Sequence, residues 1–206
     1  MIAHALTIVK NELNRHLATF DNNTDHAVLG SVSDVAAQGG EDSRNRVVLS
    51  LVNLQEERTL KNLSGYVRDD NTLRVRYENP PAYVNLALLV AATHAKYESA
   101  LLELSRALMF FQAHNVFTPD NVAPESLNSA WPVNDLDRLT DFKLILNLWS
   151  PTLEEVNDMW GMLGGKQYPF ALYSVRVLEL KLAAVQREAG VITELVHTFA
   201  VKPGVT

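Results

Sequence analysis

The chain has 206 residues, is 47% hydrophobic, and carries 18 Lys and Arg against 24 Asp and Glu, a net charge of −6. That apolar fraction supports one sizeable core, and a single domain over residues 1–206 is expected. The acidic balance argues against broad nucleic-acid binding, which needs a basic footprint, and the lack of cysteine excludes a disulfide framework and thiolate metal sites.

Residues 1–20 read as an amphipathic helix, with Ile2, Leu6, Val9, Leu13, Leu17 and Phe20 at helical spacing. His4, Lys10 and Glu12 interrupt the apolar run, so a signal peptide is not expected. Asp21, Asn22 and Asn23 stop the helix. Val28 to Val32 suits a short strand, and the polar stretch from Ser33 to Arg46, with Gly39 and Gly40, reads as a mobile loop. Arg46 to Glu57 (RVVLSLVNLQEE) is β-rich at its start and charged at its end, the pattern of a strand leaving the core for solvent. Arg58 to Asn71 reads as a connection. Leu73, Val75 and Tyr77 alternate with Arg74 and Arg76, which suits a half-exposed strand near an edge.

Tyr83 to Ala92 is almost unbroken apolar sequence, with apolar residues on both sides of an extended chain. Such a strand belongs in the middle of a sheet covered on both faces. Asn79-Pro80-Pro81 gives it a rigid lead-in outside the hydrogen-bond ladder. The period then changes: Tyr97, Leu101, Leu104, Leu108 and Phe111 mark one helix face, with Lys96, Glu98, Glu103 and Arg106 away from it. Thr118 to Thr140, with Pro119, Pro124 and Pro132, is long for a loop and is expected to be a mobile binding or switching segment. Phe142, Leu144, Leu146 and Leu148 alternate as a strand. Thr152 and Glu155 form a capping-box pattern, before a helix with an apolar face of Leu153, Val156, Trp160 and Leu163 that Gly164 and Gly165 end. Tyr173, Val175 and Val177 start a further strand to Leu180. Ala183 to Ala189 reads as a helical turn or loop, and Ile192 to Val201 as a last strand. The order fits an α+β fold, one mixed and mostly antiparallel sheet with helices packed on it.

Catalytic patterns are missing. Gly161 to Lys166 (GMLGGK) fails as a phosphate loop, because its spacing is short, Gln167 stands where magnesium needs Ser or Thr, and its glycines end a helix instead of starting one. No two of the six histidines have metal-binding spacing. His94 and His114 flank the central helix and are the best-placed general bases for a catalytic alternative, although capping or packing suits them better. No segment approaches the roughly 18 apolar residues of a membrane span. No cofactor, metal, nucleic acid or membrane partner is expected.

Three blocks carry a family resemblance: VVLSLVNLQEERTLKN at Val47 to Asn62, NPPAYVNLALLVAATHAKYESALLELSRALMFFQAHNVFTP at Asn79 to Pro119, and LNLWSPTLEEVNDMWGMLGGKQYPFALYSVRVLEL at Leu146 to Leu180. Together they resemble the N-terminal domain of the cap, or tail-terminator, proteins of extracellular contractile injection systems, of the Photorhabdus virulence cassette and antifeeding prophage type. The resemblance implies a tail-terminator-like fold and a structural, non-enzymatic part. It implies a sixfold ring at the end of tube and sheath that stops polymerisation, with self, tube and sheath as partners. The protein would be made in the cytoplasm and join a particle that can be released. The open alternatives are a small cytoplasmic enzyme or ligand-binding domain of similar fold, or another tube or baseplate subunit. Candidate interface residues are Gln55, Glu56, Glu57 and Arg58 at a strand end, and the aromatics Phe117 and Trp131 at and within the long loop. A solvated strand end, or aromatics that tuck the loop on the core, would explain the same residues.

Overall fold

The computed structural model describes residues 1–21, 23–36, 43–57, 59, 66–69, 74–78, 81–180 and 185–190. Strand β5 (Ala82–Ala92) is the centre of the fold. It pairs antiparallel with β2 (Val47–Glu56) on one side and β8 (Phe170–Leu180) on the other. β1 (Ala27–Leu29) extends the sheet beyond β2, in parallel; β7 (Leu144–Trp149) and β6 (Val116–Phe117) extend it beyond β8. The order is β1-β2-β5-β8-β7-β6, mostly antiparallel, as the strand patterns predict. A second, three-stranded sheet joins β3 (Tyr66–Asp69), β4 (Arg74–Glu78) and β9 (Val185–Gly190) in the order β3-β4-β9.

Alternation along β5 divides the core. Val84, Leu86, Leu88, Val90 and Ala92 point to one face, where α1 (Ile2–Leu17) and α2 (Tyr97–Ala113) pack with Leu144, Leu146, Tyr173 and Val175. Leu89 and Ala91 point to the other, against Val32, Val35, Leu172 and Trp160 of α4 (Leu153–Met162). β5 is therefore buried on both sides, which is what its unbroken apolar sequence requires. β2 is buried over its first four residues and largely exposed over the rest. A register shift between Leu51 and Asn53 interrupts its pairing with β5.

Several expectations are corrected. Residues 66–69 of the supposed connection form β3, and residues 185–189 belong to β9, neither helical turn nor loop. Both are short strands without an apolar run, and pairing with β4 is what makes them strands. The start of the supposed loop at Ser33 is a 3-10 turn, Val32–Ala36, whose Val32 and Val35 are buried. The proposed last strand at Ile192 to Val201 lies outside the described residues.

α2 is rotated from its predicted face. Ala100, Glu103, Leu104, Ala107, Phe110 and Phe111 are buried, whereas Tyr97 is 67% and Leu101 43% exposed. The buried set has the same 3–4 spacing, offset by one residue. The small Ala100 and Ala107 let the helix approach closely, and Phe110 fills the gap to α1 by stacking on His16 at 5.1 Å. Glu103, predicted to face solvent, is buried, and Arg106 Nη1 donates to its Oε1 at 2.6 Å. In α4 only Trp160 is buried and Leu153 is exposed, so its apolar face is narrower than predicted. Its ends are as expected. Thr152 and Glu155 form the capping box, and Gly164 (φ 98°) and Gly165 (φ 77°) supply the left-handed turn that ends it.

Candidate interaction surfaces

Gln55, Glu56 and Glu57 stand together where β2 leaves the core; Gln55 and Glu56 are exposed and Arg58 lies outside the described residues. The Glu57 carboxylate is engaged within the chain. Its Oε1 accepts from Thr59 Oγ1 at 2.7 Å, and its Oε2 from Asn85 Nδ2 at 2.9 Å and Arg176 Nη2 at 3.0 Å. The Thr59 hydroxyl bond, then the Asn85 amide, the Thr59 backbone N–H and the Arg176 guanidinium hold its pKa down to about 2, against some desolvation. Glu57 thus ties β2 to β5 and β8, a structural duty that its sequence context did not reveal.

The segment 118–140 is built, not featureless. It contains α3 (Pro124–Leu127) and a 3-10 turn, Asp135–Asp137, capped by the Asn134 side chain. Two buried polar residues of α1 hold it. Glu12 Oε1 accepts from the Ala123 backbone N–H at 2.9 Å and Ser126 Oγ at 2.6 Å. His4, 1% exposed, accepts the Leu139 N–H at Nδ1 (2.8 Å) and lies 3.1 Å from the Leu127 carbonyl through Nε2. Only the neutral tautomer protonated at Nε2 makes both bonds. Burial is the main influence lowering the pKa of His4. The Leu127 bond opposes that shift, and Arg138 and the N-terminal amine add to it. A polar residue within an otherwise apolar buried arc was the sequence signal for both clasps.

The two aromatic candidates separate. Phe117, on β6, is 3% exposed and lies within the core beside Phe110, so it is packing, not an available anchor. Alternation on β6 turns it inward. Trp131 is 60% exposed, and the nearby Val133 and Leu136 are also exposed. Arg138 braces this loop by donating to the carbonyls of Pro132 and Ser129, each at 3.0 Å. The result is an exposed apolar projection on a hydrogen-bonded base, with the exposed carboxylates of Asp135 and Asp137 on either side of Leu136. Exposed apolar side chains that were not among the sequence candidates include Leu101, Leu102 and Met109 on α2, and Leu148 and Trp149 on β7. The signal was present in α2, which has more apolar residues than one buried face can use.

The histidines of the catalytic alternative do not converge. His94 precedes α2 and His114 ends it, and 17 helical residues separate them by about 25 Å. His114 stacks on Phe110 at 5.4 Å. Desolvation chiefly lowers the pKa of His94, with Glu103 opposing it and His26 reinforcing it. His26 Nε2 in turn donates to Asp21 Oδ1 (2.8 Å), and its Nδ1 lies 3.7 Å from Glu103 Oε2. This links the end of α1, the start of β1 and the buried acid of α2, a structural cluster under the helix pair. Among the described residues no group of three His, Asp or Glu side chains is placed to hold a metal ion, and no helix is long and apolar enough to cross a membrane.

Comparison with solved structures places this fold beside two particle components. The chain aligns over its full length with a sheath/tube terminator of the PVC extracellular contractile injection system, with a TM-score of 0.62 and 15% identity, covering 65% of that chain. It aligns over 93% of its length with the tube-terminating cap of the anti-feeding prophage, with a TM-score of 0.59 and 14% identity, covering 60% of that chain. The chain therefore spans less than two thirds of either protein, and at such identity the likeness is one of fold. No curated protein sequence matches it. A family model does, over residues 4–194, spanning both described sheets, most of α1, α2 to α4 and the Trp131 loop; the chain belongs to the Pvc16 N-terminal domain family.

Proposed function

We propose that the chain is the ring-forming part of a cap that ends the tube and sheath of a phage-tail-like contractile injection particle. The observation that carries this reading is family membership over residues 4–194, joined to a terminator fold over the whole chain. A polymer end presents the surface that bound each earlier ring, and growth stops when that surface is occupied without being presented again. The protein doing this needs interfaces and no reaction chemistry. The braced Trp131 projection offers a subunit contact. In this reading the chain is made in the cytoplasm, closes as a homohexamer, and contacts tube and sheath subunits.

Deletion of the gene and electron microscopy of the particles test it. Loss of the cap leaves tube and sheath subunits able to fold but removes the control of where growth ends. Particles become absent, unstable or irregular in length. Uniform particles of normal length from the deletion strain would falsify the assignment. His94→Ala and His114→Ala keep normal particles, whereas a catalytic role would be lost with one of them.

A further inference from the structure

We propose that the outer edge of β7 receives an extended, uncharged segment from a different polypeptide, which adds a strand to the six-stranded sheet. β6 opposes only Leu144 and Ile145, and the Leu146 N–H donates to the Asn115 carbonyl at 2.8 Å. Backbone groups alternate in direction along a strand, so the N–H and C=O of Leu148 point the same way as those of Leu146, past the end of β6. Among the described residues no backbone group meets them, and Asn147, Leu148 and Trp149 are exposed. An unpaired N–H and C=O at strand spacing are matched by one kind of occupant, another extended backbone.

The edge has no guard. LILNLW contains no charge and no proline, the usual devices that keep a foreign strand away. At the opposite edge the fold does have one. The Asn14 side chain accepts from the Ala27 N–H at 2.6 Å and donates to the Ala27 carbonyl at 2.9 Å, occupying the outward groups of the first residue of β1. Copies of this chain are thereby hindered from continuing one sheet head to tail through β1, which favours a strand from another polypeptide.

The adjoining groove sets the chemistry of the occupant. It has a volume of about 610 Å³ and lies between the C-terminal half of α2 and β7–β8, lined by Leu108, Met109, Phe111, Gln112, Leu148 and Tyr173 among others, none of them charged. Met109 and Leu148 are each 58% exposed. With no lining charge to pair, an ionised side chain entering the groove would lose hydration without compensation. The matching segment has apolar side chains at alternate positions, entering the groove, and a run of about four residues, the length of edge beyond β6.

The test rests on the cap reading, because the donor strand is sought in the assembled particle. Hydrogen exchange resolved to single amides is measured on the isolated chain and on particles containing it. The Leu148 amide exchanges freely in the isolated protein while that of Leu146 is protected, and in particles Leu148 slows by about tenfold or more. Leu148→Pro removes a donor that the fold itself does not use, and edge positions tolerate proline. It melts like the parent protein and is excluded from particles, whereas Leu148→Val, which keeps the N–H, is incorporated. If Leu148→Pro does not fold, the exchange comparison on the parent protein decides alone. A Leu148 amide that exchanges equally fast in both states, or normal incorporation of a folded Leu148→Pro, overturns the proposal. So does a concentration-dependent dimer of the isolated chain that protects Leu148, since the occupant is then a second copy. A chain absent from the particles defeats the cap reading first, and this inference with it.

Discussion

Replacing His4 by Phe removes the clasp between α1 and the 118–140 segment while keeping the volume of the ring. The Leu139 N–H is buried and loses its acceptor, at a cost of about 1–3 kcal/mol for an unsatisfied group. The Leu127 carbonyl is only part-buried and loses an ordinary bond worth about 0.5–1.5 kcal/mol. The expected loss is therefore about 1.5–4.5 kcal/mol, a large part of a domain stability of about 5–15 kcal/mol. Urea unfolding at pH 7.5 reads the total, and exchange at the Leu139 amide reads the local opening. The pH dependence adds an independent check. The pKa of His4 is below its ordinary 6.5 in the folded chain, chiefly through burial. A histidine held neutral in this way stabilises fully above the unfolded value near 6.5, and the contribution is lost as pH falls below it. Protonation at Nδ1 would set one N–H against the Leu139 N–H. The parent protein thus loses more stability between pH 7.5 and pH 5 than His4→Phe does. A variant within about 0.5 kcal/mol of the parent at pH 7.5, with its Leu139 amide still protected, would show that the clasp contributes nothing.

Leu104→Asp unfolds the protein, because Leu104 is 8% exposed on the sheet-facing side of α2 and an unpaired buried carboxylate costs several kcal/mol. Glu98→Lys on the exposed side stays within about 0.5 kcal/mol. Circular dichroism melts compare the two, and a cooperative, parent-like transition for Leu104→Asp refutes the orientation of α2. Glu57, with its pKa lowered to about 2, contributes stability that is present above its unfolded value near 4.5 and is lost as pH falls towards 2. Glu57→Gln flattens the acid limb of the stability profile over that window, and an unchanged slope denies the Thr59, Asn85 and Arg176 bonds their effect. Phe117→Ala costs about 3–5 kcal/mol as a core truncation. Trp131→Ala leaves thermal unfolding unchanged but lowers the chain's incorporation into particles; equal incorporation would remove Trp131 as a contact.

Wherever the local pattern and the final burial coincide, the sequence alone was sufficient. The double-sided apolar run at Tyr83 to Ala92 required a covered central strand, and β5 is one. The fading of Val47–Glu56 from apolar to charged described β2 along its length, and Thr152 with Glu155 marked the start of α4. Those features depend on period, on turn residues and on capping hydrogen bonds within four residues. The three long blocks of the resemblance also carried the family. Tertiary structure decided the rest. Which of two adjacent stripes on α2 turns inward depends on α1 and the sheet together, and Ala100 and Ala107 prevail over Tyr97 and Leu101 because they allow closer packing. Whether Phe117 or Trp131 is available depends on which side of the core each lands. β3 and β9 exist through pairing with β4, and β7 has an open edge only because β6 stops after two residues. The roles of His4 and Glu12 come from partners 111 to 135 residues away in the chain, and Glu57 joins its near neighbour Thr59 to Asn85 and Arg176, 28 and 119 residues away. Periodicity reports on neighbours three or four positions along the chain; burial, pairing and hydrogen bonding at such separations are set only when the chain closes on itself.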